Sequence, residues 1–208
     1  MLEITSYSKT FHAGTPNEVK ALEQISLTVQ NGSFVVVIGT NGSGKSTLLN
    51  AVAGTFLPDQ GQILLDGHTI TNWSEHRRAR LIGRVFQNPF SGTAPGMTIA
   101  ENLAMAARRG RFPGIRWALG HHLLDECRDR IRTLRMGLED RLDTAIGGLS
   151  GGQRQALTLL MATWQRPALL LLDEHTAALD PRSAERIIEL TNEIVTKNKL
   201  TTLMVTHS

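Results

Sequence analysis

A glycine-rich segment that follows an apolar run constrains this chain more than any other feature of its sequence. Residues 39–46 read GTNGSGKS, and the five residues before them, 34–38, are all apolar. The spacing G-x-x-x-x-G-K-[ST] after such a run predicts a buried strand, a tight phosphate-binding turn and a helix. Glycines let the backbone N–H groups point inward at a phosphate chain, and the helix N-terminus adds partial positive charge. Lys45 can then reach the β- and γ-phosphates, and the Ser46 hydroxyl suits Mg²⁺.

Composition limits the remaining function classes. The chain has 208 residues, 41% of them apolar, which is enough for one domain or for one domain with a small subdomain. The formal charge is +3, and the basic groups at 77–80 and 108–111 are expected to be solvated helix faces, so we expect no nucleic-acid partner. A single cysteine, Cys127, excludes an intrachain disulfide and favours a reducing compartment, and we expect it on the buried side of a helix. We find neither a signal peptide nor an apolar stretch long enough to span a bilayer.

The order of predicted elements indicates an α/β fold. Residues 1–38 are predicted to form strands and turns, and residues 90–149 to be mostly helical, with a capping box at Thr98, a glycine- and proline-marked loop at 110–114 and a helix over 121–136. After residue 150 the pattern is helix 152–165, strand 169–172, helix 183–197 and strand 201–205. Strand–helix–strand order predicts a mainly parallel sheet, and the strand 169–172 is apolar throughout, as expected for a strand covered on both faces.

Two carboxylates end that apolar strand. The segment 169–174 reads LLLLDE. A phosphate-binding loop needs an acidic partner at the end of a neighbouring strand, so Asp173 is expected to hold Mg²⁺ directly or through water. Glu174 is expected to point differently and to orient a water for attack on the γ-phosphate as a general base. The alternative is a helix N-terminus with acidic residues that complement its dipole.

A second anion-binding segment follows the helical region. Residues 149–153 read LSGGQ and precede a predicted helix, so backbone N–H groups and the Ser150 hydroxyl are available to an anion. Because the loop at 39–46 already binds one end of a triphosphate, a second phosphate-binding segment is best explained if it contacts the nucleotide held by another copy of the chain.

With this string the chain resembles the ATP-binding-cassette (ABC) ATPases over essentially its whole length. The matching motifs, in chain order, are Gly39 to Ser46 as Walker A, Gln87 as the Q-loop glutamine, Leu149 to Gln153 as the signature, Leu169 to Glu174 as Walker B with the catalytic glutamate, Ala178 to Asp180 as the D-loop and His207 as the switch histidine. Phe11 lies where the family places an aromatic ring against adenine; Tyr7 is a competing candidate, and a core aromatic is the alternative to both.

The resemblance implies a P-loop NTPase core with an N-terminal antiparallel β subdomain and an inserted helical subdomain. One domain would span 1–208, with 1–89 and 150–208 as the nucleotide-binding core and 90–149 as the helical subdomain. Two copies, or this chain and a paired cassette, would pair head to tail around ATP and Mg²⁺. The implied nucleotide contacts are Phe11, Gly39, Thr40, Asn41, Gly42, Ser43, Gly44, Lys45, Ser46, Thr47, Ser150, Gly151, Gly152, Gln153 and Asp180. The implied catalytic residues are Lys45, Gln87, Glu174 and His207, and the implied metal contacts are Ser46, Gln87 and Asp173.

The chain departs from the family pattern in two places. Family members usually have proline after the catalytic glutamate, whereas this chain has His175, either as a tolerated substitution or with a role of its own. The sequence also stops one residue after His207, where the family continues. We therefore expect a truncated chain in which strand 201–205 becomes a sheet edge and His207 is poorly held.

The expected function is that of an ABC transporter's ATPase subunit, cytoplasmic and peripheral on the inner face of the cell membrane. It would act with a separate permease and, as an importer, with a substrate-binding protein; many exporters instead fuse both domains in one chain. The alternatives are a non-transport ABC ATPase of DNA repair or the ribosome, and a catalytically silent regulatory cassette. The presence of Lys45, Asp173, Glu174 and His207 argues against the silent cassette.

Overall fold

The computed structural model describes residues 1–110 and 120–207, apart from the side chain of His121. In chain order the elements are β1 (Leu2–Phe11), β2 (Val19–Val29), β3 (Phe34–Ile38), α1 (Lys45–Ala53), β4 (Gln60–Leu65), β5 (His68–Thr69), α2 (Glu75–Arg78), β6 (Ile82–Val85), α3 (Ile99–Ala107), α4 (His121–Arg132), a 3₁₀ turn (Ile146–Gly148), α5 (Gly151–Thr163), β7 (Leu169–Asp173), α6 (Pro181–Asn198) and β8 (Thr202–Thr206). The chain divides into two compact units. Unit 1 comprises residues 1–83, 167–174 and 199–208, and unit 2 comprises 84–166 and 175–198.

Unit 1 contains an antiparallel sheet and most of a second sheet with parallel pairs. The antiparallel sheet has the order β2-β1-β4-β5, and the other has the order β3-β8-β7-β6, in which β3 and β7 both pair with β8 in parallel. One apolar cluster joins α1 to both sheets and includes Leu49, Ile63, Leu171 and Val205. The predicted α/β class, with one antiparallel and one largely parallel sheet, is confirmed.

The positions of three strands test the sequence predictions directly. Every residue of β7 is buried, as predicted. The prediction that strand 201–205 becomes an edge is wrong, because β8 lies between β3 and β7. The strand before the phosphate-binding loop is less buried than predicted. Since β3 is at the end of the sheet order, Phe34, Val36 and Ile38 remain 44%, 42% and 69% exposed.

Unit 2 contains α3 to α6 and begins within β6. The predicted capping box is present: the Thr98 hydroxyl accepts from the Glu101 N–H at 3.2 Å, and the Glu101 carboxylate accepts from the Thr98 N–H at 2.7 Å. Cys127 on α4 is fully buried, as predicted. Helix α4 ends at Arg132, four residues before the predicted end. The predicted loop at 110–114 and the basic residue Arg111 fall mainly outside the described residues. In the part of the chain that the structure describes, no helix is long and apolar enough to cross a membrane.

Candidate nucleotide-binding and hydrolysis site

The phosphate-binding loop connects β3 to α1 in unit 1. The N-cap of α1 is Gly44, whose φ of 86° lies in the left-handed region and whose Cβ, if present, would approach the Ala21 carbonyl oxygen to 2.7 Å. A side chain is therefore excluded there on two grounds. Lys45 is buried, and its ammonium donates to the carbonyl oxygens of Gly39 and Thr40 at 2.8 and 2.9 Å. The ammonium is thus held inside the curve of the loop, where it can exchange these carbonyls for phosphate oxygens.

Two predicted metal ligands lie together although 127 residues separate them in the chain. The Ser46 hydroxyl donates to an Asp173 carboxylate oxygen at 3.3 Å. Ser46 is on the first turn of α1, and Asp173 is the last residue of β7. Both atoms are hard oxygen donors.

The two residues expected to act on the attacking water also meet. The Glu174 carboxylate lies 3.3 Å from Nδ1 of His207, with the Glu174 side chain 13% and the His207 side chain 47% exposed. The Glu174 N–H donates to the Val205 carbonyl oxygen at 3.1 Å, which ties the end of β7 to β8. Glu174 has a φ of 41°, so a non-glycine residue is held in the left-handed region beside the site.

The signature segment lies in unit 2, where it forms the start of α5. The Ser150 hydroxyl accepts from the Gln153 N–H, and the Gln153 side chain accepts from the Ser150 N–H, both at 3.2 Å. A Cβ on Gly152 would lie 2.8 Å from the Ser183 hydroxyl oxygen, so any larger residue would require Ser183 to move. Asp180 accepts from the Ser183 N–H at 3.1 Å, and hydrogen bonds from Ser183 lower the pKa of the Asp180 carboxyl.

Gln87 is an exposed residue of unit 2, in the segment that follows β6. The backbone of the preceding residue is anchored to α5, because the fully buried Gln155 side chain donates to the Phe86 carbonyl oxygen at 3.1 Å. Sequence reasoning missed Gln155, and it carried no local signal, because its partner lies 69 residues away.

The structure separates the two aromatic candidates for stacking on adenine. Tyr7 is 0% exposed, and its hydroxyl has no hydrogen-bond partner among the described residues. Burial raises the pKa of Tyr7 to about 12. Phe11, at the end of β1, is partly exposed and packs edge-on against Phe56 at 5.1 Å between ring centroids. Of the two, only Phe11 has a partly exposed ring, over which the Lys9 ammonium lies 5.7 Å from the centroid. Phe56 is a neighbouring aromatic residue that sequence reasoning missed.

Comparison with known proteins places this geometry in a family. The ABC transporter family matches residues 22–177. Over its whole length the chain is 44% identical to a tyrosine transport ATP-binding protein of Clostridioides difficile (strain R20291), of which it covers 82%, and 36% identical to the lipoprotein-releasing system ATP-binding protein LolD 1 of Caulobacter vibrioides, of which it covers 86%. Its fold is similar to that of the ATP-binding cassette MJ0796, solved as a dimer bound to ADP and phosphate after hydrolysis, with a TM-score of 0.84, 26% identity and coverage of 100% of this chain and 88% of that one. The chain belongs to the ABC transporter family, and it is an ATP-binding and ATP-hydrolysing subunit of that family.

Proposed function

We propose that this chain hydrolyses ATP, with Mg²⁺, to drive import of an amino-acid-type solute through a separate membrane permease. The proposal of ATP hydrolysis rests on two pairs of side chains that lie together at the carboxyl ends of β7 and β8. These pairs are Ser46 with Asp173 and Glu174 with His207. Ligands of parallel sheets bind at this edge, beside the phosphate-binding loop.

The donor set near Lys45 fits a magnesium nucleotide. Mg²⁺ is usually held by one or two protein oxygens, with water and phosphate oxygens completing its shell. Ser46 and Asp173 supply two such oxygens, and the described residues contain no cluster of three His, Cys, Asp or Glu side chains that would form a full protein cage. When bound, the ion neutralises charge on the phosphate oxygens. Lys45 contributes a further positive charge and Gln87 is proposed as an additional metal contact.

Glu174 and His207 would prepare the water. The Glu174 carboxylate accepts a hydrogen bond from the water and orients its oxygen for in-line attack on the γ-phosphate. His207, 3.3 Å from that carboxylate, limits its rotation and places a second polar group at the site. Such positioning and charge stabilisation provide most of the catalysis in phosphoryl transfer.

A second copy of the chain would complete the site. Ser150, Gly151 and Gly152 present a helix N-terminus and a hydroxyl, which suit a phosphate group. Gln153 and Asp180 would also contact the nucleotide held by the other copy. The dimeric cassette structure supports a pair of cassettes. ATP would then hold the two copies together, and hydrolysis would release them.

Import through a permease is supported by the named relatives and by exposed apolar residues. One relative is named for tyrosine transport and others for methionine import, although the LolD 1 relative is named for lipoprotein release. In unit 2, Phe90 and Met97, in the non-helical segment between β6 and α3, and Met105 on α3 are exposed apolar side chains. They offer a surface for a permease helix, and the chain would act at the inner face of the membrane, with a substrate-binding protein outside.

The decisive experiment compares Glu174→Gln with Glu185→Gln. Glu185 is an exposed residue of α6, so its variant makes the same charge change away from the site. We expect Glu174→Gln to lower kcat about 10²–10⁴-fold while ATP affinity stays unchanged, and to accumulate an ATP-bound dimer in size-exclusion chromatography. Glu185→Gln should match the wild type. Normal turnover by Glu174→Gln would refute the assigned role. Uptake of labelled amino acids into vesicles that hold the permease then tests direction and solute class.

A further inference from the structure

His175 is a buried polar residue that the proposed chemistry does not use. Its side chain is 2% exposed, and it follows Glu174 directly. The boundary between the two compact units falls at the Glu174–His175 peptide bond, so His175 is the first residue of the second stretch of unit 2. Its Nε2 lies 3.0 Å from the hydroxyl oxygen of Thr191 on α6.

The hydrogen bonds of Thr191 determine which nitrogen of His175 carries the proton. The Thr191 hydroxyl donates to the Ile187 carbonyl oxygen at 2.7 Å, one helical turn earlier. Its only hydrogen is therefore used, and the oxygen can only accept from His175. This arrangement assigns the proton to Nε2 and leaves Nδ1 as an acceptor that has no partner among the described residues.

This arrangement has a cost that an apolar side chain would avoid. A buried acceptor without a partner is unfavourable, and an apolar residue would have filled the space without one. The gain is a single directed bond that fixes the backbone of residue 175 to α6. A hydrogen bond of this kind restrains orientation in a way that apolar packing does not.

Glu174 is the residue that needs such a restraint. Its φ of 41° is unfavourable for a side chain with a Cβ, so its conformation persists only if the chain is held on both sides. On the N-terminal side the Glu174 N–H is bonded to the Val205 carbonyl oxygen at 3.1 Å. On the C-terminal side the next anchored side chain is His175, through Thr191.

We propose that His175 is a positioning residue for Glu174: the bond from its Nε2–H to Thr191 holds the following peptide in place and thereby aims the Glu174 carboxylate at the attacking water. This inference rests on the proposed role of Glu174. Without the bond, Glu174 relaxes towards a more favourable φ and its carboxylate leaves the line of attack. The ATP-binding groups Lys45 and Ser46 do not depend on this bond, so turnover should fall while ATP affinity is retained.

The chain permits a matched set of variants. In His175→Gln the amide nitrogen replaces Nε2 and can still donate to Thr191, whereas in His175→Asn the shorter amide replaces Nδ1 and cannot reach it. Thr191→Val removes the acceptor with little change in shape, and Thr191→Ser keeps it. We expect His175→Asn and Thr191→Val each to lower kcat about 10- to 100-fold with ATP affinity unchanged. The double variant should be no worse than either single variant. His175→Gln and Thr191→Ser should retain most of the turnover.

Several outcomes would overturn the proposal. These are unchanged kcat in His175→Asn and Thr191→Val, additive losses in the double variant, or equal losses in the Gln and Ser variants, which would indicate a packing role. If His175→Asn fails to fold, Thr191→Val provides the same comparison. Imidazole ¹⁵N chemical shifts of the wild type should report the Nε2–H tautomer, and the Nδ1–H tautomer would exclude the bond. If Glu174→Gln keeps normal turnover, both the proposed function and this inference are refuted. If Glu174→Gln loses turnover while His175→Asn keeps it, only the positioning role of His175 is refuted.

Discussion

Replacing Arg78 by methionine is expected to destabilise unit 1 more than any surface substitution. Arg78 is fully buried, and its guanidinium donates to four carbonyl oxygens: Ala51 at 2.7 Å, Val52 at 2.9 Å, Thr71 at 2.7 Å and Trp73 at 3.1 Å. Ala51 and Val52 are in the last turn of α1, where carbonyl groups lack the usual helical partner; the Ala51 carbonyl also accepts from the Gly54 N–H at 3.2 Å. The positive charge also lies at the negative end of the helix dipole.

The expected loss in the free energy of unfolding follows from the carbonyl groups that would lose their donor. A hydrogen bond to a charged group contributes about 1.5–3 kcal/mol, and four carbonyls would lose such a bond at once. The Trp73 bond is only partly buried and the Ala51 carbonyl keeps its bond from Gly54, so the loss is smaller than four full bonds. Part of this is offset, because burial also disfavours the guanidinium charge and lowers the pKa of Arg78. We therefore expect a net loss of about 3–5 kcal/mol in the free energy of unfolding. Arg78→Lys should lose less, since one ammonium can still donate to two or three of the carbonyls.

Urea denaturation followed by circular dichroism measures this loss, with Arg80→Met as the control. Arg80 is exposed and two residues away, so its variant should lie within about 0.5 kcal/mol of the wild type. A loss below about 1 kcal/mol in Arg78→Met would refute the reasoning. It would mean that the desolvation of the charge cancels its hydrogen bonds.

Two further predictions concern the adenine site and a buried thiol. Tyr7 is buried, and its hydroxyl has no partner in the part of the chain that the structure describes, so Tyr7→Phe should leave the KM for ATP unchanged and the unfolding stability equal or higher. Phe11→Ala should raise that KM, and a raised KM in Tyr7→Phe would contradict the burial argument. Burial raises the pKa of Cys127 to about 11 from an ordinary 9, so the unfolded chain loses this proton first as pH rises. Unfolding stability should therefore fall between pH 9 and 11 by at most about 3 kcal/mol from this group. In Cys127→Ala that part of the decline should be absent in denaturation series across this range, and an identical slope would exclude the shift.

Motif spacing predicted the parts of the site that lie in continuous segments. The run 34–38 and the loop 39–46 form β3 and the start of α1, and the carboxylates after the apolar run 169–172 stand at the end of β7. Their meeting with the phosphate-binding loop was predictable as well, because parallel strands bring their carboxyl ends to one edge of a sheet.

Sequence reasoning failed where a residue's environment depends on distant partners. The apolar run 34–38 has the composition of a buried strand, yet its place at the end of the sheet order leaves alternate residues exposed. Arg78 belongs to a basic group that looked like a solvated helix face, yet its partners at 51 and 52 bury it. No local pattern distinguishes such a residue from its exposed neighbours Arg77 and Arg80.

Two exceptions to local rules are neighbours in the chain, beside the proposed site of hydrolysis. A left-handed glutamate is unfavourable, and so is a buried histidine whose Nδ1 has no partner within residues 1–110 and 120–207; the two are adjacent in the chain. Neither residue belongs to the apolar cluster that stabilises unit 1. Their unfavourable free energy must therefore be offset by packing elsewhere in the protein. At the same peptide bond the sequence has His175, the residue that the resemblance to the family did not predict. Strain, burial and departure thus coincide beside the carboxylate that must be aimed, which is the pattern expected if geometry at Glu174 limits turnover.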